Sequence, residues 1–441
     1  MTIPKIPYRF STLATALLTV ALTACGSDSD NGGGASSQSS QSSENASSSS
    51  TSASSQTSAS SEASTSSEAS SSSSASSEGP ISIEPDFQLS LLADFPVGVA
   101  VSAASEPYTI FGNNAQPRRD VIVEHFSQLT AGNIMKMSYL HPEEDRYTFD
   151  DADELVNFAQ TNGMSVHGHA LVWHPDYQVP NFMNGYEGDW EAMLTDHVTT
   201  IVNHFGDTVV SWDVVNEAVD TYSSNPSDGW RHSVFYNYEP PAEGEVPPYI
   251  EVAFQAAHDA KPELDLYYND YDNTANADRL AKTLEIADHL DDKGIIDGVG
   301  FQMHVYMGYP SLDAFRNAFQ EVVDRGLKVK VTELDVAVVN PYGGGEPPPQ
   351  PDYDMELATA QKVRFCEIAE VYLETVPAEL RGGFTVWGLT DDESWLMNQF
   401  ENATGAEYDD VWPLLFNADL SAKPALQGVA DAFNGEPCSA E

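Results

Sequence analysis

The sequence predicts a (β/α)8 TIM barrel, preceded by a signal peptide and a Ser-rich linker expected to be disordered. Three observations carry this. From about Asp86 to Cys438, short apolar runs alternate with amphipathic stretches, and eight of each can be counted. No glycine-rich phosphate loop follows the first run, so the competing doubly wound sheet loses its usual cofactor rationale.

Taken in chain order, the leader comes first. Lys5 and Arg9 precede a short apolar stretch, Ser11 to Ala21, too brief to span a bilayer, so residues 1–24 read as a secretion signal. It ends in Leu22-Thr23-Ala24-Cys25-Gly26, which resembles a bacterial lipobox. That resemblance implies acylation of Cys25, and Gly26 after the cysteine favours the outer membrane. An ordinary signal peptide with an incidental cysteine is the alternative. Residues 25–80 are then the lipidated cysteine and a tract almost wholly of Ser, Ala, Thr, Gln, Gly and Glu with no large apolar residue. Such a segment cannot offset its ordering entropy, and as a random coil it would reach roughly 40 Å.

Within the domain expected over 86–438, the candidate strands are 97–102, 134–138, 165–171, 209–215, 264–269, 298–305, 328–334 and 383–389. Helices are expected over 120–129, 151–162, 190–205, 250–260, 276–293, 312–325, 354–374 and near 425–433. Local signals support them: Asp150 reads as an N-cap before Leu155, Val156, Phe158 and Ala159, with Gly163 at the far end.

Composition bounds the function. The chain of 441 residues has 68 acids against 19 Lys and Arg, a formal charge of −49, which argues against phosphate backbones or anionic lipid as partners. The domain itself keeps 62 acids against 17 bases, a density that reads as a solvated exterior face. Three cysteines make no disulfide scaffold and no structural zinc site. Cys366 and Cys438 can pair in an oxidising compartment, although sequence does not set their distance.

If the barrel is right, function lies where strands end. The polar residues gather there: Asn133 and Lys136; His167, His169, Trp173 and His174; Asn216 and Glu217; Asn269 and Asp270; Gln302 and His304; Glu333 and Asp335; Trp387. Any one could be a satisfied core residue, but seven strands ending this way are harder to explain so. Glu217 and Glu333, at the ends of the fourth and seventh strands, would face each other across the rim. Two opposed carboxylates suit glycoside hydrolysis, one acting as acid and the other ionised. Trp173, Trp387 and Trp395 offer flat faces for sugar rings, while Lys136, His169, Gln302 and Asn269 can direct hydrogen bonds to hydroxyls.

Six strings in order at successive strand ends resemble glycoside hydrolase family 10, the endo-β-1,4-xylanases: Gly168 to His174, Trp212 to Ala218, Tyr268 to Tyr271, Gly300 to His304, Val331 to Val336 and Thr385 to Asp391. The resemblance covers residues 90 to 435. It implies that Glu217 is the general acid/base and Glu333 the nucleophile of a retaining mechanism, with carboxyls about 5 to 5.5 Å apart. It also implies that Asn133, Lys136, His169, Trp173, Asn216, Gln302, His304, Trp387 and Trp395 line the glycone side, with His304 and Asp335 tuning the nucleophile. No cofactor and no metal are implied. The expected partners are xylan and xylo-oligosaccharides, with the membrane reached only through a lipid on Cys25; a monomer at the cell surface is expected, or a secreted protein. A retaining glycanase acting on β-1,4-glucan or mixed polymers, and a silent xylan-binding lipoprotein, remain alternatives.

Departures from the family pattern are also legible. Gly132 stands where a glutamate usually precedes the asparagine, His167 where an arginine is common, and Asp272 where an asparagine is usual. Either the glycone site one sugar beyond the scissile one is weaker or roomier, or neighbouring loops compensate. The long segment 223–248 offers Trp230, Tyr236 and Tyr238 as aglycone platforms, with a plain surface loop as the equal alternative.

Overall fold

The computed structural model describes residues 79–222, 228–343 and 346–440. The leader, Cys25 and nearly all of the serine tract lie outside the described residues, as does 223–227 of the long loop.

Nine strands are present: β1 (Val97–Val101), β2 (Gln128–Ala131), β3 (Ser165–Trp173), β4 (Val209–Asn216), β5 (Asp265–Asp270), β6 (Gly298–Phe301), β7 (His304–Tyr306), β8 (Lys328–Ala337) and β9 (Arg381–Val386). All pair in parallel, and β1 joins both β2 and β9 while β6 joins β8, so eight strands close a barrel. The sixth barrel position is split. Met303, in the left-handed region at φ 64°, separates β6 from β7, which continues along β8. The continuous strand expected over 298–305 is therefore two short ones.

Eleven α-helices among the described residues fill the connections: α1 (Gln116–His125), α2 (Met137–Leu140), α3 (Asp150–Thr161), α4 (Trp190–Phe205), α5 (Val234–Tyr238), α6 (Pro248–Ala260), α7 (Ala277–Asp291), α8 (Leu312–Val323), α9 (Met355–Thr375), α10 (Leu396–Thr404) and α11 (Pro424–Phe433). Their starts follow from capping chemistry. Asp189, Asn276, Ser311 and Asp354 each accept a hydrogen bond from a first-turn amide of the helix that follows. Asp150 does not cap α3 in this way. It lies inside the first turn, where its charge still suits the helix dipole, and Phe149 occupies the cap position.

One stretch was misplaced by pattern. The second strand is Gln128–Ala131, not 134–138, and the helix before it is Gln116–His125, not 120–129. Gln128 and Thr130 are buried polar residues, which hides the strand's apolar signal. The Gln128 side chain donates to Ser165 and accepts from Lys330 Nζ at 2.6 Å. The apolar Ile134-Met135 instead lies in the turn leading into α2 and is buried in the main core.

Glycines make room where bulky side chains cross the barrel. A Cβ on Gly168 would sit 2.2 Å from Trp212, and one on Gly300 would sit 2.4 Å from Asn269 Oδ1. At the closing edge, α11 lies along α9, and Cys366 of α9 is bonded to Cys438 beyond α11. Basic groups are used sparingly. Lys136, Lys330 and Lys423 are buried, and the other five described lysines each hold a surface acid.

Candidate active site

The C-terminal ends of the strands surround a cleft lined by Asn133, Lys136, His169, Trp173, Asn216, Glu217, Gln302, His304, Glu333, Trp387 and Trp395. Parallel pairing puts these ends on one face, so residues from six strands converge although they span more than 260 positions in sequence.

Glu217 follows β4 directly, in the left-handed region at φ 61°. That conformation is uncommon for a residue with a side chain, and hydrogen bonds on both sides hold it. Its N–H donates to Asn269 O at 2.9 Å, and its carbonyl accepts from Arg231 Nε at 2.7 Å. Gln302 Nε2 donates to Glu217 Oε1 at 3.0 Å.

Glu333 lies within β8 and is 4% exposed. Asn269 Nδ2 donates to its Oε1 at 2.8 Å, and His304 Nε2 lies 3.3 Å from its Oε2. Burial would push this carboxyl up, but the His304 hydrogen bond and the charges of His169 and His304 outweigh burial, holding it below the usual carboxylate range. His304 is itself held on its other face, with Nδ1 2.8 Å from Asp335 Oδ2, which also accepts from Trp395 Nε1 at 3.1 Å. Burial alone would push His304 down; Asp335 and Glu333 reverse this and raise it to about 10. The imidazolium therefore persists through neutral pH beside Glu333.

Between the two glutamates runs a row of amides. One end of the Asn216 amide lies 3.0 Å from Asn269 Nδ2 and 3.3 Å from Gln302 Nε2; its other end lies 3.1 Å from Trp173 Nε1. Glu217 and Glu333 are thus joined through Gln302, Asn216 and Asn269. Two expected contributors, Asn269 and Asp335, sit beneath the cleft surface. Asn269 is fully buried, with its side-chain Oδ1 accepting from Thr332 Oγ1 at 2.7 Å, so it orients Glu333 rather than presenting itself to a ligand.

On the other wall, Lys136 Nζ lies 4.5 Å from the Trp173 ring centre and donates to Asn133 Oδ1 at 3.0 Å. Burial lowers this ammonium to about 8 against the pull of Glu333, Glu217 and Glu106. His169 Nδ1 sits 2.8 Å from Asp213 Oδ2, with His167 Nε2 3.1 Å from the same oxygen. His167, the departure from the usual arginine, thus lies inside the barrel, paired with Asp213 and Ser211.

Sequence reasoning passed over Asp213, Glu393, Tyr177 and Glu106. Asp213 had a signal, a charge in the middle of an apolar strand. Glu393 had a weaker one in the Thr390-to-Glu393 capping box, whose carboxylate also meets Arg118 at 2.9 Å. Tyr177, set against Trp173, and Glu106 are loop residues without a motif. Conversely, the long loop does not offer its aromatics. Trp230 and Tyr236 are buried, Tyr236 Oη donates to Asp228 at 2.7 Å, and Tyr238 stacks on Trp190.

A closed parallel barrel bearing two buried, separately hydrogen-bonded carboxylates among tryptophans at its C-terminal rim defines the glycoside hydrolase class of barrel proteins. Residues 88–432 match glycosyl hydrolase family 10, and the chain belongs to that family. It is 46% identical over 358 residues to endo-β-1,4-xylanase Xyn10C of Cellvibrio japonicus, covering 79% of this chain and 57% of that protein. Endo-1,4-β-xylanase A of C. japonicus is 42% identical, with 79% of this chain and 56% of the relative covered. The chain thus spans a little over half the length of these curated relatives. Among solved structures, C. japonicus xylanase 10C in complex with xylopentaose superposes with a TM-score of 0.74 at 44% identity, covering 80% of this chain and 70% of that one. Xylanase 10B of Thermotoga maritima gives 0.67 at 31% identity, covering 79% and 98%.

Proposed function

We propose that the protein is an endo-β-1,4-xylanase working by retaining double displacement. The observation that carries this is the pair Glu217 and Glu333, each buried and each given a different set of partners in one cleft. Glu333 faces an imidazolium and an amide donor, which keep it ionised as a nucleophile. Glu217, held by Gln302, protonates the leaving oxygen and later deprotonates the attacking water. Asn216, between them, is read as the donor to the 2-hydroxyl of the sugar undergoing substitution. Trp173, Trp387 and Trp395 supply ring faces. The named xylanase relatives and the xylopentaose complex of one of them support xylan as the substrate.

The test is release of reducing ends from xylan but not from carboxymethyl cellulose, with the first anomer followed by proton NMR. Glu333→Ala lowers kcat on xylan at least about 10³-fold while leaving oligosaccharide binding measurable. Full activity in that variant, or inversion of the first anomer, overturns the assignment. Acylation of Cys25 and anchoring at the outer membrane belong to the same reading and rest on the lipobox resemblance; mass analysis of the mature N-terminus checks them.

A further inference from the structure

We propose that Glu106, on the loop between β1 and α1, is a positioning residue that replaces the carboxylate missing at Gly132 and sets the glycone wall for catalysis. This rests on the xylanase reading above and adds a residue to it.

The geometry is a three-step relay. Glu106 Oε2 accepts from Ala103 N at 2.8 Å, which fixes the carboxylate within its own loop. Its Oε1 accepts from Asn133 Nδ2 at 2.7 Å, reaching across to the end of β2. Asn133 Oδ1 then accepts from Lys136 Nζ at 3.0 Å, and that ammonium lies over Trp173. An amide has one donating and one accepting end. With a carboxylate on one side and an ammonium on the other, only one orientation of Asn133 satisfies both. Remove the carboxylate, and Asn133 Nδ2 loses its acceptor, leaving the Lys136 contact alone to fix the amide. The ammonium over Trp173 is then tied to a less firmly held partner. Since Asn133, Lys136 and Trp173 all line the cleft, the wall that receives the sugar beyond the scissile one depends on a loop residue that is not itself part of the cleft lining.

The position of Gly132 makes the replacement testable in both directions. A Cβ there would come no nearer than 3.4 Å to Val101 O, so a side chain can be accommodated. An aryl β-xylobioside is the probe, because its two sugars occupy the glycone wall and its leaving group makes few contacts. Glu106→Ala raises KM for this probe about tenfold with kcat nearly unchanged, the loss of one charge-assisted contact. Glu106→Gln, which keeps the shape and one acceptor, falls between. Adding Gly132→Glu to Glu106→Ala restores KM. An unchanged KM in Glu106→Ala, or a parallel loss of kcat and thermal midpoint that Gly132→Glu fails to rescue, overturns the relay. A wild-type protein that cleaves neither xylan nor the probe overturns the xylanase reading, and this proposal with it; one that cleaves both isolates the question to Glu106.

Discussion

His304 illustrates how single residues divide the work in the cleft. It stands between Asp335, which holds its Nδ1, and Glu333, which faces its Nε2. Because its pKa is raised to about 10, its contribution to stability is complete below the ordinary histidine value and is lost as pH rises through about 10. Glu333 behaves in the opposite sense. Its value is depressed, so its charge and the associated stability are present above the ordinary glutamate range and lost as pH falls through the lowered value. His304→Gln removes the cation that holds Glu333 down. The acid limb of the kcat/KM profile then moves to higher pH, with kcat at neutral pH falling about 10-fold or more. A pH profile with an unmoved acid limb would show that His304 does not govern Glu333. Both residues were legible from the sequence because they sit in strings at strand ends. Glu106 was not, since nothing in a loop acid announces which distant amide it will meet.

Among the elements, β6 and its neighbours matter most to the site. Gly300 leaves space that Asn269 fills, and Asn269 in turn holds Glu333. Gly300→Ala would drive a methyl into Asn269 Oδ1. The expected result is a stability loss of about 1–3 kcal/mol from overpacking, together with a fall in kcat larger than any change in KM. Thermal melts and steady-state kinetics check it, and a variant with normal kcat would mean that Asn269 is not needed to orient Glu333. At this scale the reading of sequence was good where strands were wholly apolar, as in β1, or carried a string, as in β3 and β8. It failed at β2, where buried Gln128, held by Ser165 and Lys330, and buried Thr130 interrupt the apolar period. It also missed the break after β6, because period two predicts a continuous face and cannot register Met303 turning left-handed.

Over the whole molecule, closure brings β1 against β9, and the bond from Cys366 to Cys438 ties the chain end to α9 across 72 residues. A crosslink of that span restricts the unfolded chain by up to about 4 kcal/mol. Cys438→Ser therefore lowers the thermal midpoint by several degrees while leaving kcat intact, since neither sulfur approaches the cleft. Equal midpoints for the two forms under non-reducing conditions would count against a stabilising role.

The scarcity of basic groups reaches beyond folding into how the protein can be handled. The described lysines are either buried, as Lys136, Lys330 and Lys423 are, or engaged with an acid at the surface. Amine-directed labels and supports would have to compete with those ion pairs, and Lys136 sits in the cleft itself. Carboxylates are abundant all over the exterior, so coupling through activated acids offers many attachment points for a solid support.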